Sequence, residues 1–316
     1  MPPQKIIIDT DPGIDDSMAI FFALNSPELE VIGLTAVFGN VHVDLAVTNA
    51  LRLLEIAGRT DIPVAEGAAN PLAGTYTNPP TFIHGDDGQG NIHLPPPTTT
   101  AITQTAAEFI VEQIMSAPGE ITLVPIGPLT NIALALRLEP RIAQNVKQVV
   151  LMGGNALVPG NATPAAEANI HDDPEAADVV FGADWSVTMV GLDVTTKASM
   201  TEQHLQRYAQ SSSPMAQHIA RINPLYHDFS KRVNGVSGLL VHDSTAIAYL
   251  LMPDAFTVKQ WPIRVETQGF SRGKTWPYLR PNPNAVAWHN RSAVNVCTGI
   301  DSARTIELEL NRVAPP

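Results

Sequence analysis

The sequence predicts an α/β protein: a mostly parallel central sheet, Rossmann-like and open, with helices on both faces and helical insertions. Three observations predict it. Strand-like and helix-like patterns alternate as far as residue 190, the mark of successive βαβ units. The strand-like segments are short apolar runs without polar alternation, as in strands covered on both faces. A dense acidic motif closes the first of them, at the sheet edge where open α/β folds bind ligands.

The elements follow in order. Residues 5–9 carry Ile6, Ile7 and Ile8, a β-branched run too short for a helix and suited to a central strand. After Asp9-Thr10-Asp11-Pro12-Gly13-Ile14-Asp15-Asp16, the residues Met18, Ala19, Phe22 and Ala23 recur at helical spacing. A strand is expected over 31–37 and a helix from about 44 to 57. Residues 71–97, rich in Pro, Thr and Gly, lack periodicity; a long loop of this kind in a compact unit is a candidate lid. Further strands are expected at 121–124, 149–152 and 187–190. Residues 198–250 read as largely helical. Residues 261–290, with Trp261, Trp276, Trp288 and several prolines, read as irregular or β structure. No linker divides the chain, so one unit over 1–316 is expected.

Composition narrows the function. Of 316 residues, 44% are hydrophobic, enough for a sizeable core. The 31 acidic residues outnumber the 19 basic ones, for a net charge of −12, which disfavours a nucleic-acid partner. The single cysteine, Cys297, excludes an internal disulfide and a cysteine-rich zinc cage. No apolar run is long enough for a membrane span, and none near the start resembles a signal peptide, so a cytoplasmic location is expected.

Asp9, Asp11, Asp15 and Asp16 fall within eight residues. Capping of the following helix accounts for one or two of them. It does not account for four, because crowded carboxylates repel unless a cation neutralises them. Basic residues are scarce, so a divalent metal is the economical neutraliser, and oxygen-only ligands select a hard ion, Ca²⁺ or Mg²⁺.

The run from Asp9 to Asp16 resembles the motif Asp-x-Asp-Pro-Gly-x-Asp-Asp of the inosine–uridine-preferring nucleoside hydrolases. The resemblance continues, in order, through Gly39-Asn40, Val124–Asn131, Leu151–Gly154, Gly160–Thr163, Glu167-Ala168-Asn169 and His242-Asp243. It implies Ca²⁺ as cofactor, ligated by Asp11, Asp16 and Asp243 and by the backbone carbonyl of Ile126, with Asp11 also the general base for the attacking water. It implies Asp15, Asn40, Asn161, Glu167 and Asn169 as ribose-binding residues, and Met152 as the floor beneath the sugar. His242, next to a metal ligand, is the expected proton donor to the leaving base. His84 matches a histidine near the base pocket, and Tyr226 and His227 lie in a segment that closes over the base in relatives. His171, His204, His218 and His289 read as structural or exposed.

Two departures bear on specificity. Ala168 stands where some relatives have an aromatic residue. His242 stands where purine-specific relatives have tryptophan, which favours a broad or pyrimidine-accepting enzyme. The implied partner is a small ribonucleoside, not nucleic acid or membrane, and the implied assembly a homodimer or tetramer. Two other readings fit these residues less well. In a haloacid-dehalogenase-like phosphatase, Asp15-Asp16 and His242-Asp243 have no role. A non-catalytic nucleoside binder has no need of both a metal-activated water and an acid.

Overall fold

The computed structural model describes residues 2–233, 235, 237–280 and 282–315. The strands, in chain order, are β1 (Gln4–Thr10), β2 (Leu29–Ala36), β3 (Val64–Glu66), β4 (Thr122–Pro125), β5 (Gln148–Met152), β6 (Val187–Val190), β7 (Ser199–Thr201), β8 (Gly238–Leu240), β9 (Phe256–Val265), β10 (Thr275–Pro277) and β11 (Ala293–Ile300). Nine of them form one sheet in the order β10-β9-β11-β6-β5-β4-β1-β2-β3. The run from β11 to β3 is parallel, and β9 and β10 add an antiparallel margin. β7 and β8 pair separately as an antiparallel ribbon.

The period of two along each strand divides the core between the faces. Ile6, Ile8, Val150, Met152 and Val190 pack into one apolar cluster. Ile7, Val149, Leu151, Val187 and Met189 pack into another. Both faces are therefore covered, which explains the unbroken apolar strands.

Strand order reverses between β1 and β4. β1 continues into β2 and β3 on one side, while β4, β5 and β6 run outward on the other. The carboxyl ends of strands beside such a switch point border a crevice. The loop after β4 is tied to β1 there: Ile126 N–H donates to the Asp9 carbonyl at 2.8 Å.

The expected helices appear at Ile14–Leu24 and Val43–Ile56. Residues 198–250 supply helices Glu202–Gln210, Pro214–Val233 and His242–Leu251, together with the β7–β8 ribbon. Residues 71–97 are fastened rather than loose. Arg52 donates to the carbonyls of Leu94 and Pro95 at 2.6 and 2.9 Å. Buried Gln89 donates to Gly13 O at 3.1 Å, and its Oε1 accepts from His218 Nε2 at 2.8 Å. Among the described residues no helix is long and apolar enough to cross a membrane.

Candidate active site

β1 delivers the acidic motif into the switch-point crevice. Asp9, the first of the four, is a positioning group. Its Oδ1 accepts from Thr35 Oγ at 2.5 Å and Asn131 Nδ2 at 2.8 Å, and burial pushes its carboxyl up to about 7. Asn131 also donates to Ala36 O and accepts from Ala68 N–H, so it laces β1 to β2 and the turn after β3.

Asp11 is fully enclosed. Its Oδ2 accepts from Asn40 N–H at 2.5 Å, whereas its Oδ1 is buried without a hydrogen-bond partner. A side chain at Gly39 or Gly127 would collide with these oxygens, which accounts for both glycines. Asp15 and Asp16 occupy the first turn of the helix that starts at Ile14. Asp16 accepts from Thr10 Oγ at 2.6 Å, Asn40 Nδ2 at 2.8 Å and Gly13 N–H at 3.0 Å. Gly13 leaves room for both Asn40 and His84, whose side-chain atoms would lie 2.9 and 2.6 Å from a Cβ there.

Asp243 comes from the first turn of the helix His242–Leu251. Carboxylate oxygens of Asp15, Asp16 and Asp243 all lie within 4.8 Å of one another. Asp15 thus joins the tight group, and Asp11, expected from the sequence, lies beside it rather than in it. Burial and then the Asp16 charge hold Asp11 well above the usual carboxylate range and raise Asp15 to about 8. Burial, then the charges of Asp15, Asp16 and Asp11, does the same to Asp243. The donor set suits a hard cation on three counts: it is all oxygen, it is crowded with like charge, and it leaves one buried carboxylate oxygen unbonded.

The far wall comes from β4, β5 and the helix Ala168–Asp172. Asn169 Nδ2 donates to Ile126 O at 2.8 Å and to Met152 O at 3.2 Å, bridging the two strand ends. The Ile126 carbonyl, with two lone pairs, retains a free one. Glu167, 2% exposed, accepts from Gly154 N–H at 2.8 Å and from Asn169 and Ile170 N–H at 2.9 and 3.2 Å. Burial raises it to about 7. Met152 is buried at the end of β5. Asn161 does not join the wall: it is exposed, and its oxygen accepts from Ala168 N–H at 3.0 Å.

Two histidines adjoin the acidic group, His84 against Gly13 and His242 next to Asp243. His84 is buried, with Nδ1 accepting from Ile14 N–H at 3.1 Å and its ring stacked on Tyr226 at 5.9 Å. Burial, and then the charge of His242, lowers it to about 3. His242 Nδ1 lies 2.8 Å from Thr195 Oγ, and burial lowers this imidazole to about 4. Burial thus favours the uncharged ring, which carries one N–H. Tyr226 stacks in turn on Phe229, and Phe229 meets exposed Phe82, so an aromatic row leads outward from His84. His227 turns away from this row and lines a separate cavity of about 350 Å³ with residues of the helix Glu202–Gln210. His204 caps its own helix by accepting from Thr201 N–H, a structural role as expected.

Thr195, Asn131 and Gln89 are the residues that motif reading did not assign. Their roles arise from contacts across 47, 122 and 129 positions; Asn131 ends a matching motif, but its partner is not legible there, and no local pattern signals the other two.

Residues 6–307 match the family model described as inosine-uridine preferring nucleoside hydrolase. The chain is 46% identical over 313 residues to a probable uridine nucleosidase of Arabidopsis thaliana, covering 98% of this chain and 97% of that one. Its fold superposes on a plant nucleoside hydrolase with a TM-score of 0.96 at 38% identity, covering 100% of both chains. A purine-preferring ribonucleoside hydrolase from Gardnerella vaginalis superposes with a TM-score of 0.90 at 31% identity, covering 98% of each. Relatives named for different bases thus share one scaffold.

Proposed function

The chain belongs to the inosine-uridine preferring nucleoside hydrolase family, and from that premise we propose a Ca²⁺-dependent ribonucleoside hydrolase that accepts uridine. The reaction is N-glycosidic: water adds to the anomeric carbon, and the base departs with the bonding electrons. The observation that carries the reading is the pairing of an uncompensated carboxylate group, Asp11, Asp15, Asp16 and Asp243, with an uncharged histidine N–H at the same crevice.

Asp15, Asp16 and Asp243, with Asp11 and the Ile126 carbonyl beside them, would hold the ion. When bound, Ca²⁺ supplies a site for a water and for the 2′- and 3′-hydroxyls of ribose. Asp11 takes the proton of the attacking water; its unbonded Oδ1 is the oxygen free to do so. Asn40 and Asp16 brace each other through the 2.8 Å contact and fix the sugar's approach. Asn169, held by two carbonyls, presents its oxygen to a ribose hydroxyl. Positive charge grows on the sugar ring in the transition state, and fixed carboxylates around it stabilise that charge. Negative charge grows on the base, and the His242 N–H stabilises it by a hydrogen bond that strengthens as the bond breaks.

The match over residues 6–307 leaves no place for the phosphatase reading. A panel of nucleosides assayed for free base tests the proposal. Uridine should release uracil, and 2′-deoxyuridine should be poorer by roughly 10⁴-fold, because a polar site robbed of its partner discriminates strongly. Equal turnover of the two would remove the diol from the account, and recovery of unchanged uridine after prolonged incubation would leave a binder.

A further inference from the structure

The contact between Thr195 and His242 decides more than a ring orientation. Thr195 ends the short helix Leu192–Thr195 that follows β6, and its side chain is fully buried. Its Oγ lies 2.8 Å from His242 Nδ1. A hydroxyl carries one hydrogen, and a buried hydrogen needs an acceptor. Among the described residues, His242 Nδ1 is the acceptor within reach. The backbone N–H of Thr195 donates to Gly191 O at 3.1 Å, but the hydroxyl does not reach that carbonyl.

The hydrogen therefore points at Nδ1. A ring nitrogen that accepts a hydrogen bond carries no hydrogen of its own, so the hydrogen of the neutral ring sits on Nε2. His84 shows the same arrangement by an independent route. Its Nδ1 accepts from Ile14 N–H, a group that can only donate, and its hydrogen is likewise on Nε2.

We propose that Thr195 is a positioning residue that fixes the His242 tautomer, so that both imidazoles facing the base offer Nε2–H and neither offers a lone pair. The inference rests on the reading of His242 as the group that meets the departing base. It also names the chemical class of leaving group: one whose edge accepts hydrogen bonds, through a ring carbonyl or an unprotonated ring nitrogen. No proton need be transferred at this contact; the N–H stabilises the departing base, which gains its proton from solvent.

The test uses ligand-free protein labelled with ¹⁵N at histidine, with His242 assigned by its disappearance in His242→Gln. Long-range ¹H–¹⁵N correlations should show His242 with hydrogen on Nε2 and a bare Nδ1. Thr195→Ser should keep that pattern, and Thr195→Val should admit the Nδ1–H form. Thr195→Val should also lower kcat for uridine by about 10–100-fold, by analogy with the loss of partners that orient metal-bound imidazoles. Its KM, and its turnover of p-nitrophenyl riboside, whose leaving group departs unaided, should stay near wild type. A protonated Nδ1 in the wild-type spectrum overturns the proposal even if the valine variant fails to fold. So does a folded Thr195→Val with wild-type tautomer and uridine turnover. Failure of the underlying reading has a different signature: His242→Ala would then hydrolyse uridine normally, while the wild-type spectrum would still decide what Thr195 does.

Discussion

Two groups of carboxylates sit at different places on this fold, and the chain treats them in opposite ways. On the helix Pro174–Gly182, Asp178 receives Arg264 Nε at 2.9 Å and Arg291 Nη2 at 2.6 Å, and Glu175 receives Arg272 at 2.6 Å. The Arg272 guanidinium holds Glu175 below the usual carboxylate range. At the crevice, Asp11, Asp15 and Asp243 are buried and pushed upward, and no arginine or lysine acts among the causes. Among the described residues, three arginines pair with acids of one helix, and no arginine or lysine is paired with the most crowded acids. The difference separates a joint, where charge is cancelled within the chain, from a site whose counter-charge comes from outside.

Substitution should distinguish the two groups. Asp11→Asn keeps size and shape but removes the base, so uridine turnover should fall by roughly 10²–10⁴-fold while the melting temperature holds or rises, since a repelling carboxylate is gone. Near-wild-type turnover in folded protein would strip Asp11 of that role. Asp178→Ala should do the reverse. It leaves Arg264 and Arg291 without their shared partner and should cost about 1–3 kcal/mol of stability, read as a shift in the denaturant midpoint, with turnover per folded molecule unchanged. A large loss of turnover in folded Asp178→Ala would show that the two groups are not separate.

The contrast was half legible in the sequence. The crevice group is local: three aspartates follow one strand, so spacing alone exposes their crowding, and the strands at 149–152 and 187–190 emerge within a residue of their observed bounds. The Asp178 joint is not local. Its partners lie 86 and 113 residues away, on β9 and just before β11, within and just past the proline-containing region that reads as irregular or β structure. Pro262 lies inside β9, which blurs the strand pattern, and β3 is three residues long, too short for periodicity to register. The motif resemblance assigns Asp15 to the sugar by position; its entry into the tight oxygen group depends on the turn made by Gly13 and the arrival of Asp243 from a distant helix. Thr195 sits in an ordinary Val-Thr-Thr string, and only the fold brings it to His242.

The most direct measurement is the melting temperature of metal-free protein across pH, with and without added Ca²⁺. Asp15 ionises near 3.8 when unfolded and near 8 when folded, and Asp11 and Asp243 shift the same way. A carboxyl raised on folding gives stability that is fully present below its unfolded value and is lost as pH rises toward its folded value. These carboxyls make metal-free protein lose stability as pH rises from about 4 to 8, while the buried histidines act the other way below about pH 6.5, so the fall should show most clearly between pH 6.5 and 8. Added Ca²⁺ should restore it, and more at pH 8 than at pH 5, because protons and the ion compete for the same oxygens. A melting temperature that does not fall over this window and does not respond to Ca²⁺ at pH 8 would contradict the assignment of this crevice as a cation site.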